Sequence, residues 1–207
     1  MSLLEDAWEE REEVVYPEVF GDTGPGIYPL SNDVFEQLDA QSVDPRWLTH
    51  GVFQSPPNDT RNTWVYVTSG MSNPWESDEP QDYSGFGVEF VLETEQASTW
   101  AINVLHTLMA YNLMLASGQM GEPGLLDYGN RIPFALSDDI AAMVIAPTFQ
   151  LPENIDIKSG RVDFLQIVGV TEAELTYAQE TSSEALIEML IEETGGLITA
   201  KQRKSVV

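Results

Sequence analysis

Between Phe86 and Ala116 the hydrophobic pattern changes period, and that change sets the fold class. From Phe86 to Thr94 the period is two: Phe86, Val88, Phe90 and Leu92 fall on one face, Glu89 and Glu93 on the other. This is the pattern of a strand with one wet face in an antiparallel sheet. From Thr99 to Ala116 the pattern is helical, with Ile102, Leu105, Met109 and Leu113 in one apolar stripe and Gly118 as the stop. The methionines read as core filling rather than as a cofactor box. A strand and a largely apolar helix that must cover each other predict an α+β domain.

The flanking segments extend this unit. Thr63 to Ser69 alternates Trp64, Tyr66 and Thr68 with Val65 and Val67, a strand covered on both faces. Met143 to Ala146 predicts a short buried strand, and Arg161 to Val170 a long one built on Val162, Phe164, Leu165, Ile167 and Val168. Thr171 with Glu174 forms a capping box ahead of a helix. A second helix, Glu184 to Glu193, stops at Gly195 and Gly196. Near the N-terminus, Leu4, Trp8, Arg11 and Val15 share one face of an acidic amphipathic helix that Pro17 is expected to close. Ser31, Asn32 and Asp33 cap a short helix over Val34 to Leu38. Val43 to Phe53 holds a strand or further short turns, Pro56 to Asn62 is a turn-rich break, and Gly121 to Arg131 is a turn-rich connection. The expected architecture is a mixed, largely antiparallel β-sheet flanked by α-helices in a single domain. Residues 1–26 form an N-terminal acidic helix and loop packed on a main domain over 27–200, and 201–207 form a short, basic, mobile tail.

Composition narrows the function classes. The 207 residues are 43% hydrophobic and 10% aromatic, enough for a packed core. No cysteine is present, which excludes disulfides, thiolate zinc sites, iron–sulfur clusters and cysteine nucleophiles. Thirty-four acids against nine bases give a net charge of -25. Nucleic acid and anionic lipid surfaces repel such a chain. The acidity serves either solubility or the steering of a basic protein partner. No secretion signal is apparent, and the most apolar window, Trp100 to Ala116, contains Asn103, His106 and Asn112 and reads as a buried helix, so a cytoplasmic location without membrane contact is expected.

The residues of an enzyme are missing. There is no nucleophile elbow, P-loop, zinc-protease motif or dinucleotide fingerprint; Gly21, Gly24 and Gly26 have the wrong spacing. His50 and His106 read as satisfied structural histidines. Asp138 and Asp139 are an adjacent pair of the kind that thirty-four acids produce by chance, so neither a metal nor a cofactor is expected. Asn58 to Thr60 matches a glycosylation acceptor without meaning for a cytosolic chain.

Four separated blocks, in order from Ile27 to Gln179, carry a resemblance. They are Trp64-x-Tyr-x-Thr-Ser-Gly-Met-Ser72, Ser84-Gly-Phe-Gly-Val-Glu-Phe90, Thr99-Trp100, and Phe164-Leu-Gln-Ile-Val-Gly-Val170 followed by Glu174-Leu175 and Ala178-Gln179. Together they resemble the Suppressor of fused domain. Gly70, Gly85, Phe86, Gly87, Phe164, Gln166 and Gly169 are its fold signature here. The glycines suit strand ends with positive φ or a close neighbour.

The resemblance implies a non-catalytic protein-binding domain. Animal members are inhibitory scaffolds that grip an extended peptide of a transcription factor by strand addition between this domain and a second one. This chain looks like the compact, single-domain bacterial type, whose implied role is an immunity protein that occludes a toxin from a polymorphic toxin system. The alternative is a constitutive regulator or scaffold that binds an extended segment of a cellular partner. The candidate partner-binding residues are Trp75, Glu76, Asp78, Glu79 and Asp82, an aromatic anchor amid acids that steer a basic toxin domain. Equally, Trp75 reads as packing under its own loop while the acids keep that loop solvated.

Overall fold

A computed structural model describes residues 2–121 and 124–207. Met1, and Glu122 and Pro123 of the expected connection over 121–131, lie outside the described residues. Eight strands form one sheet: β1 (Tyr28–Pro29), β2 (Gly51–Ser55), β3 (Trp64–Ser69), β4 (Tyr83–Thr94), β5 (Arg131–Ile132), β6 (Ala142–Pro147), β7 (Asn154–Ile157) and β8 (Gly160–Val170). Their order is β1-β2-β3-β4-β8-β6-β5, with β7 paired to β8. Every pairing of these strands is antiparallel except that of β4 with β8. The sheet is therefore mixed and largely antiparallel.

One face is covered by the central helix, α4 (Thr99–Ala116), which has the bounds its sequence predicts. Ala101, Leu105, Leu108, Met109 and Leu113 pack there on Tyr66, Phe90, Leu92, Met143, Ile145, Leu165 and Ile167. The short helix α3 (Asn32–Gln37) adds Phe35 to this core. Val43 to Phe53 resolves into both of its alternatives, a 3₁₀ segment at Pro45–Thr49 and strand β2.

The opposite face is not wet. Helices α1 (Leu3–Glu9) and α2 (Tyr16–Phe20), joined without a break by a π-helical segment at Glu10–Val15, lie across its first half. Ala7, Tyr16 and Phe20 pack there on Phe53, Val65, Val67, Val91, Val162 and Phe164. Helices α5 (Glu172–Glu180) and α6 (Ser183–Thr194) cover the second half through Ala178, Leu186, Ile187 and Leu190. Glu89 is consequently fully buried and Glu93 nearly so. The expected solvent face of β4 is an interior polar layer instead.

Two further expectations fail near the N-terminus. Pro17 does not close the helix, which runs on to Phe20 and ends at Gly21, with φ of +88°. The π segment shifts the ladder, so Tyr16 N–H bonds to Arg11 O, and the proline that lacks an N–H opens the next helical turn. The extra residue of that segment also moves the buried stripe. Ala7, Arg11, Tyr16 and Phe20 face the sheet, while Leu4, Trp8 and Val15 are only half-buried. Phe86, assigned by alternation to the apolar face of β4, is 38% exposed. Gly85 and Gly87 on either side take φ of +56° and +73°, and the β4–β8 register shifts between Tyr83 and Val88.

The C-terminal helices follow their sequence signals. The Thr171–Glu174 capping box forms, and Gly195 ends α6 in the left-handed conformation. The tail expected to be mobile is held against α5. Both guanidinium Nη atoms of Arg203 donate to the buried Glu174 carboxylate, which also accepts the N–H of Thr171 and of Val206. Burial alone would raise the Glu174 pKa, but Arg203 and these two N–H groups outweigh it and hold the pKa below the ordinary carboxylate value. This attachment is therefore complete above the unfolded carboxyl range and is lost as pH falls through the lowered value. Amide exchange read by NMR should show Val206 protected at pH 7, losing protection on acidification through that range. In Arg203→Ala the protection should already be gone at pH 7; its retention would show that the pair does not hold the tail.

Candidate functional site

Residues from four segments meet beside the N-terminal half of β4. The loop after β3 begins by wrapping around Glu89. The Glu89 carboxylate accepts Gly70 N–H and Ser72 N–H, each at 2.9 Å, and the hydroxyls of Ser72 and Thr68, each at 2.6 Å. Arg11, fully buried, donates from behind to Ser69 Oγ at 3.0 Å and Ser72 Oγ at 2.9 Å. From the front, Phe86 N–H donates to Met71 O and Ser84 Oγ to Ser72 O. A Cβ on Gly85 would stand 2.6 Å from Asn73 O and 2.7 Å from Met71 O. The glycine therefore admits the loop against β4.

The path so fixed presents Asn73, Pro74 and Trp75. Trp75 is half-buried and stacks on His50, with ring centroids 6.4 Å apart at 21°. The Arg46 guanidinium lies 5.6 Å from the Trp75 ring centroid and is held by Asp44 at 2.7 Å and Glu76 at 2.8 Å. Asp44 also caps the 3₁₀ segment that carries Arg46, by accepting Arg46 N–H. His50 is satisfied structurally: its Nδ1 lies 3.0 Å from Arg46 O, and burial lowers its pKa against the opposing pull of Glu89. His106 likewise sets Nε2 2.8 Å from Tyr28 O.

Asn73, Trp75, Glu76, Tyr83, Gly85 and Phe86 are among the residues that line a cleft of about 460 Å³. Among the described residues, the only buried side-chain atoms without a hydrogen-bond partner are Asn73 Oδ1 and Trp75 Nε1, both at this cleft. Buried polar atoms are rarely left so. Two exposed aromatic rings, Tyr83 and Phe86, stand at the same place. A second concavity, about 510 Å³ between α4, Leu38 and residues 132–134, has no such orphaned atoms.

Of the residues singled out in the sequence, Trp75 and Glu76 line the cleft, while Asp78, Glu79 and Asp82 are exposed on the same loop. The fold signature divides in two. Gly70, Gly85, Phe86 and Gly87 shape this cleft or its support. Phe164 lies in the core under Tyr16 and Phe20, and Gln166 and Gly169 anchor the C-terminal segment: Gln166 Nε2 donates to Leu197 O, and Gly169 N–H donates to Thr199 Oγ1. A Cβ on Gly169 would stand 2.7 Å from Thr199 Cγ2, so the close neighbour there is a side chain rather than a backbone. Sequence reasoning missed Asn73, Tyr83, Arg46 and His50. Asn73 and Tyr83 flank the acids of a loop already singled out, but nothing local links Arg46 or His50 to it.

The family model for Suppressor of fused protein matches residues 39–204. The chain belongs to the Suppressor of fused family. No curated protein sequence matches it. Among solved structures, one described as the Sufu-Fu complex shares 23% identity at a TM-score of 0.68, covering 99% of this chain and 92% of that one. Drosophila Suppressor of Fused shares 23% at 0.58, covering 76% of this chain and 42% of that one. A putative homologue from Neisseria gonorrhoeae shares 20% at 0.56, covering 77% and 79%. These likenesses establish the Suppressor of fused fold. The family is one of protein-binding rather than catalytic domains. No group of three or more His, Asp or Glu among the described residues is arranged to hold a metal ion. No helix among them is long and apolar enough to cross a membrane.

Proposed function

We propose that this Suppressor of fused domain is an immunity protein that neutralises a toxin domain by covering it, with the cleft around Trp75 as the contact. The observation that carries this is a concave place lined by Trp75 and by two exposed aromatic rings, Tyr83 and Phe86, on a loop that also exposes Asp78, Glu79 and Asp82. Protein interfaces concentrate their binding energy in such aromatic anchors, and the surrounding acids accelerate encounter with a basic partner. A nuclease-type toxin presents a basic cleft of that kind. The second reading, a scaffold that takes an extended segment of a cellular partner, is favoured by the likeness to a protein solved as a Sufu-Fu complex.

The test is co-expression with any toxin domain found encoded beside this gene, scored as growth, with binding measured by calorimetry at low and high salt; a gene neighbourhood without a toxin overturns the reading. The wild-type chain should restore growth and bind more weakly as salt rises. A Trp75→Ala, Asp78→Lys double substitution should weaken binding at least about a hundredfold, as loss of an aromatic hot spot with charge reversal does. Unchanged affinity in that variant removes the site assignment. A neutral cellular partner retained at high salt supports the scaffold.

A further inference from the structure

Both ends of the cleft loop lead back to one helix. On the premise that the cleft around Trp75 is the partner contact proposed above, this helix governs the contact from the far side of the sheet. The first end lies at Thr68 to Ser72. Arg11, fully buried in the π-helical segment, donates Nε to Ser69 Oγ and Nη1 to Ser72 Oγ. Glu12, next along the segment, accepts Nη2 of Arg11 at 3.3 Å and the hydroxyl of Ser69. Tyr16 adds its hydroxyl to Thr68 O at 2.6 Å. Ser72 is gripped by Glu89 as well, through its N–H and its hydroxyl, and Asn73, Pro74 and Trp75 follow it directly.

The second end lies at Gln81 to Ser84, and its link to the helix runs through the turn between β7 and β8. Glu10, the residue before Arg11, accepts the Lys158 N–H at 2.7 Å. Ser159, 1% exposed, accepts Gln81 N–H through its carbonyl and donates its hydroxyl to Ser84 Oγ. The direction of that last bond is fixed, because Ser84 already gives its own hydroxyl proton to Ser72 O. Gly160 admits the turn to the loop: with φ of +140°, a Cβ there would stand 2.5 Å from Gln81 O. No helix or strand spans Gly70 to Asp82, so bonds of this kind set its path. One π-helical segment therefore reaches both ends of the loop by different routes, and π turns are frequent at functional sites. We infer that Arg11 and Glu10 are positioning residues for the cleft. Arg11 acts through Ser72 on Trp75, and Glu10 acts through the β7–β8 turn on the end of the loop that carries Tyr83.

The test is made on the free, full-length chain. Its readout is the Trp75 indole N–H resonance, assigned by its absence from Trp75→Phe, with Trp100 in the first turn of α4 as the reference that stays in place. Arg11→Met and Glu10→Ala should each displace the Trp75 resonance, Arg11→Met by more because its bonds are buried. Glu10→Gln keeps an acceptor oxygen and drops only the charge, so it should restore the wild-type position. A helix that merely adds stability would lower the unfolding midpoint in these variants without moving Trp75. A resonance unmoved in Glu10→Ala, or displaced there and not restored by Glu10→Gln, overturns the role of Glu10. A resonance unmoved in Arg11→Met overturns that of Arg11. Where Arg11→Met does not fold, Arg11→Lys is read in its place, since it keeps the cation and loses the fork that spans the two serines. A toxin domain bound at this cleft should bind the Arg11 variant about tenfold more weakly, within the roughly 5–150-fold range of coupled sites. Toxin binding indifferent to Trp75→Ala overturns the contact reading alone, because a Trp75 resonance that follows Glu10 and Arg11 still establishes the positioning role.

Discussion

Glu89→Leu is expected to destabilise the protein by about 3–5 kcal/mol, the cost of removing one partner from a buried charged arrangement. The carboxylate is fully buried and accepts four hydrogen bonds, from Thr68, from Gly70 and twice from Ser72. Leucine leaves all four donors without a partner. It also leaves Arg11 buried beside the same serines with only Glu12, at 3.3 Å, as its counter-charge. A buried donor stripped of its partner carries its full desolvation cost, which neutral contacts do not offset. The midpoint of urea unfolding at constant slope measures the loss. Arg11→Met combined with Glu89→Leu should recover part of it, because the double substitution removes the stranded cation as well. A loss under about 1 kcal/mol for Glu89→Leu would mean that the loop reorganises around a water-filled site and that Glu89 does not set its path.

Gly85→Ala is expected to cost about 2–5 kcal/mol and to open the cleft. A φ of +56° costs a residue with a Cβ about 1–2 kcal/mol. The remainder comes from overpacking, about 1–3 kcal/mol, because the new Cβ would lie under 3 Å from Asn73 O, Met71 O and Ser72 C. These are backbone atoms of the segment that presents Asn73 and Trp75, and they have no rotamer with which to move aside. Gly85→Asn separates the two causes. Asparagine tolerates positive φ but carries the same Cβ, so its loss should stay within about 1 kcal/mol of alanine's. If asparagine instead restores wild-type stability, the glycine serves only its dihedral angle and the close approach carries no weight.

These two substitutions lie where sequence and structure part. The period-two run of β4 is present as a strand, yet alternation does not place its glutamates. A charged residue on one strand face looks solvated until something is known to cover that face, and the covering helix lies far upstream in the sequence. Arg11 shows the same limit. Helical spacing places it on the inner face correctly, but Leu4, Trp8 and Val15 with it; the π-helical segment inserts one residue between Arg11 and Tyr16, which passes the stripe from Val15 to Tyr16 and leaves no compositional mark. The tail is a third case. A short basic run at a terminus has no partner visible in the sequence, and Glu174 already has a complete local role as a capping-box residue, so nothing along the chain points from it to Arg203.

What the sequence by itself determined is everything governed by neighbours along the chain. The bounds of α4, the Thr171–Glu174 capping box, the glycine stops, strands β3, β6 and β8, and the positive φ of Gly70, Gly85 and Gly87 all follow from local period and backbone sterics. The four ordered blocks add the family. The tertiary structure decided which faces stay wet, that β4 and β8 run parallel, and that Arg46, His50, Asn73, Trp75 and Tyr83 come together around one cleft. Those outcomes depend on pairings between distant segments. A hydrophobic pattern reports how much apolar surface an element must hide, and only the packed fold settles which element hides it.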